Sequence, residues 1–249
     1  EQLVEAHGPP PSHFHQLEGS KFTALPKTQG QGRLFELLLA RQTARTFRTD
    51  RPLSMENLST LLGYTFGVQG AMRVTDYYVL LKKTSPSGGA LHPVEAYPLI
   101  LDVEGITPGF YHYNVRDHGL DLIREVAVDE GRELARQFTA GHYYFASANV
   151  LIVLTARFDR KFWKYRNDSK ALRILELDAA HLGQTFYLIG TELGLGTFTT
   201  GAIIDESIEK LLGLPLFLEG AISVIGCGYP VDENCPGGAD FSAPIPDQS

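Results

Sequence analysis

Cysteine is scarce in this chain: two in 249 residues, Cys227 and Cys235, both near the C-terminus. A secreted disulfide scaffold would carry more, at framework spacing. The pair reads as incidental thiols of a cytoplasmic protein. No apolar run reaches the roughly 18 residues that a membrane span needs. "NVLIVLTA" (149–156) has the length of a buried strand instead. No group of His, Cys and carboxylates has zinc spacing. No GxxxxGK followed by Ser or Thr is present, and "GLGTFTTG" does not fit GxGxxG, so the common nucleotide-binding loops are not signalled. A net charge of −7 argues against nucleic acid or an anionic membrane as partner. No Lys or Arg follows Lys210. There is no signal peptide and no initiator Met, which leads us to expect a chain trimmed or excised from a longer protein.

What is present is ordinary globular composition, 43% hydrophobic and 20% charged, ample for a core. No linker divides it, so one domain is expected over residues 32–230, with an extended arm at 1–31 and a tail at 231–249. "RLFELLLAR" (33–41) reads as a short amphipathic helix, and Ser54 as the N-cap of a helix burying Leu58, Leu61, Leu62 and Thr65. "EAYPLILDV" reads as a strand and "GFYHYNVRDHGLDLI" (109–123) as a hairpin. Asp129 is expected to cap a helix, and "SANVLIVLTARF" (147–158) to form a central strand. A long helix follows from about Ser169 to Leu193, its Gly183 and Gly190 admitting another helix. "GLGTFTTGAI" (194–203) reads as a glycine-rich loop, Asp205 as a helix cap, and "EGAISVIGCG" (219–228) as a last strand. Strands and helices interleave without regular βαβ repetition, so the fold class is α+β.

Three separated segments look built around one ligand. Arg41, Thr43 and Arg45 place two guanidiniums and a hydroxyl at alternate positions, which suits a phosphate; a solvated charged loop is the alternative. Ser85-Pro86-Ser87-Gly88-Gly89 is nearly bare of apolar side chain. Its glycines permit positive φ and let backbone amides approach a planar ligand; a simple turn is the alternative. Gly194 to Gly201 is a second bare stretch, or merely a helix C-cap.

Together these segments resemble the flavin-binding parts of the nitroreductase-like family. "FHQLEGSKF" (14–22), "SPSGGALHPVEAYPLIL" (85–101), "GFYHYN" (109–114) and "GLGTFTTGAI" resemble its SagB-type dehydrogenase branch, which includes the azoline oxidases of thiazole- and oxazole-modified peptides. The resemblance covers roughly residues 14–230. It implies a mostly antiparallel sheet flanked by helices, and FMN held at a homodimer interface. Arg41 and Thr43 would hold the phosphate and Arg45 face the pyrimidine side. Ser87 and Gly88, beside Gly89, would line the isoalloxazine from the partner subunit, with His92 nearby. Thr200, Gly201 and Ala202 would present a backbone amide to N5. Many relatives place a C-terminal cation against the phosphate; this chain has none, so the phosphate would lean on Arg41 and Arg45, or on another basic residue such as Arg73.

"RFDRKFWKYRNDSK" (157–170) carries aromatics and cations and reads, on its own, as a solvated basic loop. By the resemblance, Lys164 and Tyr165 match a catalytic Lys-Tyr pair, base and proton relay, with Lys161 and Lys170 as rivals. A lysine beside apolar walls has its pKa lowered by desolvation. His142, Tyr143 and Tyr144 read as buried packing or as part of a substrate pocket. Asp178 and His181, at i and i+3, lack a third metal ligand and read as a helix-surface pair. Glu95 reads as structural.

The implied function is an FMN-dependent dehydrogenase that aromatises a thiazoline or oxazoline in a peptide, ribosomal or carrier-bound, passing hydride to flavin N5, with O2 as acceptor. An NAD(P)H-dependent nitro- or quinone reductase is the first alternative. A flavin-binding or docking subunit without turnover is the second.

Overall fold

The computed structural model describes residues 2–8, 12, 14, 15 and 17–232. Cys235, most of the expected tail and parts of the arm lie outside the described residues. In chain order the elements are α1 (Gln2–His7), α2 (Arg33–Ala40), α3 (Met55–Phe66), β1 (Gly70–Thr75), β2 (Tyr78–Lys82), β3 (Val94–Ile100), β4 (Gly109–Asn114), β5 (Gly119–Glu125), α4 (Val128–Phe138), β6 (Val150–Arg157), α5 (Phe158–Tyr165), α6 (Ala171–Glu192), β7 (Gly196–Thr200), α7 (Asp205–Leu212) and β8 (Glu219–Gly228). Two single 3-10 turns, Gly88–Ala90 and Tyr143–Ser147, interrupt the connections.

Six strands form one antiparallel sheet in the order β5-β4-β3-β6-β8-β7. At its centre β6 runs between β3 (Val94 opposite Ala156, Ile100 opposite Val150) and β8. Residues 150–156 are buried throughout, because both faces of the sheet are covered. Ile152 and Leu154 pack towards Leu58, Leu61, Phe66, Leu182 and Phe186 of α3 and α6. Leu151 and Val153 face Phe110, Phe138, Phe145, Phe198 and Ile208. The period-2 alternation of a strand thus feeds two cores at once, which is why the sequence there is an unbroken apolar run.

Several expectations hold. Ser54 caps α3, its Oγ accepting from the Asn57 N–H at 3.2 Å. The hairpin β4–β5, the central strand β6 and the strand β8 form where the patterning places them. Others do not. Gly196–Thr200 is an edge strand paired with β8 rather than a loop; Thr-Phe-Thr-Thr are strand formers and only the flanking glycines misled. Gly183 and Gly190 admit this strand, not a helix: a Cβ on Gly190 would collide with Thr197, and one on Gly183 would lie 3.3 Å from Thr199 Oγ1. Asp129 and Asp205 stand inside the first turns of α4 and α7, after Ala127 and Ile204. There they favour the helix dipole rather than cap the end. The β1–β2 hairpin is exposed on nearly every residue, so no alternation of burial announces it in the sequence.

Glu95 on β3 is structural, as expected, and tied on two sides. Arg160 Nη2 lies 2.6 Å from its Oε1 and His112 Nε2 3.2 Å from its Oε2. Burial works against the Glu95 charge, but the His112 hydrogen bond and the Arg160 charge outweigh it and hold the carboxyl below its usual range. The Glu95 hydrogen bond correspondingly raises His112 above the ordinary imidazole value. A raised imidazole contributes stability that is full below its unfolded pKa and is lost as pH rises through the folded one. His112→Gln is therefore expected to destabilise the protein more at acidic than at alkaline pH, by about 0.5 kcal/mol given partial solvent screening. Denaturant titrations at the two pH values measure it; an equal loss at both refutes the coupling.

Candidate active site

The bare stretch between β2 and β3 has an unusual backbone: Gly89 has φ 72°, Ala90 54° and His92 44°. Only the glycine adopts such values without steric cost. The loop is held from below by a carboxylate. Ser87 Oγ donates to Asp178 Oδ2 at 2.8 Å, and the Gly88 N–H donates to Asp178 Oδ1 at 2.9 Å. The His92 N–H donates back to Ser87 Oγ at 3.0 Å. Lys161 of α5 completes the clamp, its Nζ donating to Asp178 Oδ2 at 2.7 Å and to the Gly88 carbonyl at 3.0 Å. Lys161 is fully buried and Asp178 is 3% exposed. The expected Asp178–His181 surface pair is thereby corrected: Asp178 points inward and only His181 is exposed. Lys161 is withdrawn from the contest for a base, since its ammonium is committed to this pair. Lys170 is exposed at the start of α6.

Lys164 and Tyr165, at the C-terminal end of α5, come to the same loop. A Cβ on Gly89 would stand 2.9 Å from the Tyr165 hydroxyl and 3.2 Å from Lys164 Nζ. A Cβ on Gly88 would strike Ile174. Lys164 is exposed and Tyr165 half-buried. His92 Nε2 lies 2.9 Å from the Leu81 carbonyl, so that nitrogen carries the proton and donates it. Burial lowers the His92 pKa. Lys83, which sequence reasoning missed, is pulled down to about 8 by burial and lies against the same loop with Ser85, Ser87 and His92. Nothing in the sequence singles it out from Lys82 beside it.

The other two segments are joined to each other. Thr43 bridges Thr197 of β7, and the Ala44 N–H donates to the Thr197 carbonyl at 2.8 Å. The Tyr187 hydroxyl of α6 accepts from the Thr199 N–H at 3.0 Å and shares a 3.0 Å hydrogen bond with Thr43 Oγ1. The Arg41 guanidinium lies 5.3 Å from the Tyr187 ring centroid, close enough for cation–π attraction. Arg45, Gly201 and Ala202 are exposed, and Thr200 is half-buried. The Ala202 N–H donates to Thr200 Oγ1 at 3.1 Å. Among the described residues neither Arg41 nor Arg45 pairs with a carboxylate. Arg73 is exposed on β1, opposite Val79 of β2. Tyr143 is 74% exposed, whereas His142 stacks on Tyr144 at 5.4 Å; packing accounts for two of these three rings.

All three segments are thus borne by one helix. Asp178 holds the glycine loop and Tyr187 the arginine segment and β7. Nine positions separate them, about 14 Å of helix. Among the described residues no group of three or more His, Cys, Asp and Glu side chains forms a metal site, and no helix is long and apolar enough to cross a membrane.

Removing one member of a buried ion pair leaves the other uncompensated, at a cost of about 3–5 kcal/mol. Asp178→Asn and Lys161→Met are each expected to destabilise by that order. The double variant should lose much less than the sum. Chemical denaturation of the three variants decides it: additive losses would mean that the two groups do not act as a pair.

Comparison with known proteins gives the family. Residues 38–229 match the Nitroreductase family. The trifolitoxin-processing protein TfxB of Rhizobium leguminosarum bv. trifolii is 31% identical over 177 residues, 69% of this chain and 46% of TfxB. A nitroreductase-type protein of Methanocaldococcus jannaschii is 31% identical over 189 residues, 75% of this chain and 88% of that one. Among solved structures, a nitroreductase-type protein of Anabaena variabilis superposes with a TM-score of 0.63 at 27% identity, over 77% of this chain and 40% of that one. A chain of the E. coli microcin synthetase McbBCD complex with truncated pro-MccB17 superposes at 0.70 over 92% of this chain and 81% of that one, with 19% identity, a likeness of fold. The chain therefore spans less than half the length of TfxB and of the Anabaena protein. With its six-stranded antiparallel sheet, its flanking helices and a family match over most of its length, this chain belongs to the nitroreductase family.

Proposed function

We propose that this chain is an FMN-dependent dehydrogenase that converts a thiazoline or oxazoline within a peptide to the aromatic azole. The observation that carries this reading is the placement of Lys164 and Tyr165 against the left-handed glycine of the Ser85–His92 loop. Its relatives support it: one is named for processing trifolitoxin, and a fold neighbour was solved with a peptide precursor in a synthetase complex.

The residues present fit a flavin. Two guanidiniums without a carboxylate partner among the described residues, and the Thr43 hydroxyl, suit a phosphate. Arg41 and Thr43 are its holders in this reading, with Arg45 towards the pyrimidine edge. They replace the C-terminal cation that this chain lacks. Ser87, Gly88, Gly89 and His92 form the stretch that lines the ring in this reading, its glycines letting Ile174, Lys164 and Tyr165 come close to the backbone. Gly201 and Ala202, exposed beyond the half-buried Thr200, bring main chain towards N5 in this reading. FMN, when bound, supplies the two-electron acceptor for the hydride that leaves the azoline, and O2 takes those electrons onward. Lys164 is the base for the ring proton in this reading, and Tyr165 relays it. Ser87 and Gly88 belong to the wall contributed across a homodimer. The α2 helix has no buried residue and exposes Leu34, Phe35, Leu38 and Leu39, and a second copy of the chain covers that face in this reading. The carrier of the azoline is a ribosomal peptide or a peptide bound to an assembly-line carrier.

A second reading, an NAD(P)H-dependent nitro- or quinone reductase, is favoured by the similarity to the Methanocaldococcus protein. One experiment separates the two. The flavin-loaded protein is incubated with a cyclised, azoline-containing peptide, and loss of two hydrogens is followed by mass spectrometry. Lys164→Ala should lower the rate about 10²–10⁴-fold, the usual range for a proton-transferring side chain, and keep the flavin spectrum. Lys83→Met serves as the control for the other lysine near the loop and should retain turnover. Undiminished turnover in Lys164→Ala, or rapid flavin bleaching by NADPH with no peptide oxidation, would overturn the proposal.

A further inference from the structure

A second cavity shares no residue with the site above. It lies between α3, the turn at 105–107 and the β4–β5 hairpin, and its volume is about 470 Å³. That is the size of small-molecule sites, roughly 300–1,000 Å³. Leu58, Leu62, Ile106 and Leu120 supply apolar walls, and among the described residues no Lys, Arg, Asp or Glu lines it.

Its polar end is a relay of three side chains. Ser59 Oγ lies 2.8 Å from His118 Nε2, and His118 Nδ1 lies 2.7 Å from the Tyr113 hydroxyl. A neutral imidazole has one donor and one acceptor nitrogen, so the relay runs in one direction and both hydroxyls can rotate to suit it. Tyr113 is 1% exposed, but Ser59 is open. Ser59 therefore keeps hydrogen-bonding capacity that faces the cavity mouth. Two backbone positions are given over to this imidazole. His118 sits at φ 49°, a conformation glycine adopts more readily. Gly63, in mid-helix, leaves the room it needs, since a Cβ there would come within 3.1 Å of His118 Cε1. A left-handed residue is common in a hairpin turn such as that between β4 and β5; the room that Gly63 leaves for the ring is what bears on the cavity. Pinning the hairpin to α3 would need the imidazole but not the adjoining cavity.

We propose that this cavity binds a small uncharged molecule with an aryl or branched alkyl body and one hydroxyl group. The body lies against Leu58, Leu62 and Leu120, and the hydroxyl meets Ser59 and His118. Charged ligands are disfavoured because among the described residues no Lys, Arg, Asp or Glu lines the cavity, and both His118 nitrogens are engaged by Ser59 and Tyr113.

The chain has two methionines, Met55 at the cavity and Met72, 59% exposed on β1. Methyl-labelled methionine in the flavin-loaded full chain therefore gives one reporter and one internal control. Titration with p-cresol should shift the Met55 methyl resonance saturably and leave Met72 in place. Gly119→Leu fills the cavity from a position where a Cβ meets nothing within 4 Å. It should abolish the shift while thermal unfolding and the flavin spectrum stay unchanged. Ser59→Ala should weaken p-cresol about fivefold, one ordinary hydrogen bond, and leave toluene unaffected. 4-Methylbenzoate should bind at least about tenfold more weakly than p-cresol, as an unpaired charge in an apolar site requires. A Met55 signal unmoved by p-cresol, a shift that survives in Gly119→Leu, or equal weakening of toluene and p-cresol by Ser59→Ala would refute the proposal.

Discussion

The ion pair between Lys161 and Asp178 is the constraint on which the candidate active site rests. Two charges out of water cost several kcal/mol each, and their attraction repays this only when the remaining donors and acceptors are also used. Here they are. Asp178 accepts from Ser87, the Gly88 N–H and Lys161, while Lys161 also reaches the Gly88 carbonyl. Both polar groups of one peptide unit's residue are thus gripped by opposite charges. Such a clamp adds little net stability over a well-packed apolar pair. What it does is fix where the backbone of Gly88 and Gly89 runs relative to α5 and α6. That position decides how the loop meets Lys164 and Tyr165.

The rest of the site follows from α6. One helix of 22 residues packs on the sheet through Ala179, Leu182 and Phe186. Its other faces hold the loops. Asp178, Thr185 and the His181 carbonyl take the glycine stretch, with Ser85 Oγ 2.6 Å from Thr185 Oγ1. Gly183, Tyr187 and Gly190 take β7 and, through it, Thr43. Glycine in mid-helix costs about 1 kcal/mol against alanine. At both positions the return is a close approach of β7, which a Cβ would block at Gly190. The spacing between the loop and the arginine segment is therefore set by helical rise, a rigid ruler, rather than by flexible connections.

Much of this was legible in the sequence where a signal is local. The unbroken run at 149–156, the Ser54 cap and the turn between β4 and β5 each depend on near neighbours, and each forms as read. Local signals also misled. The glycines around Thr-Phe-Thr-Thr read as a loop because the pairing with β8 that makes them a strand is nonlocal. Asp178 read as a surface residue because its partner Lys161 lies 17 positions away on another helix, beyond any helical pattern. Tyr187 and Lys83 had no mark at all: the first gains its meaning from Thr43 and Thr199, the second from burial alone. Resemblance supplied Lys164 and Tyr165, which residue chemistry left as a basic loop. The structure adds that this segment is a helix directed at the glycine stretch.

Lys161 and Lys164 illustrate how one turn of helix divides two identical side chains. They stand three positions apart on α5, yet one is fully buried and the other exposed. A buried ammonium is tolerated only against Asp178, so Lys161 has no proton to exchange without breaking the clamp. Lys164 has no such tie and meets solvent at the loop's open side. Tyr165 stands between them, its ring centroid 6.0 Å from Lys161 Nζ and 5.8 Å from Lys164 Nζ. Its hydroxyl stands at the same Gly89 backbone that Lys164 Nζ meets. In the proposed dehydrogenase the buried lysine fixes the loop and the exposed one is left for the proton chemistry.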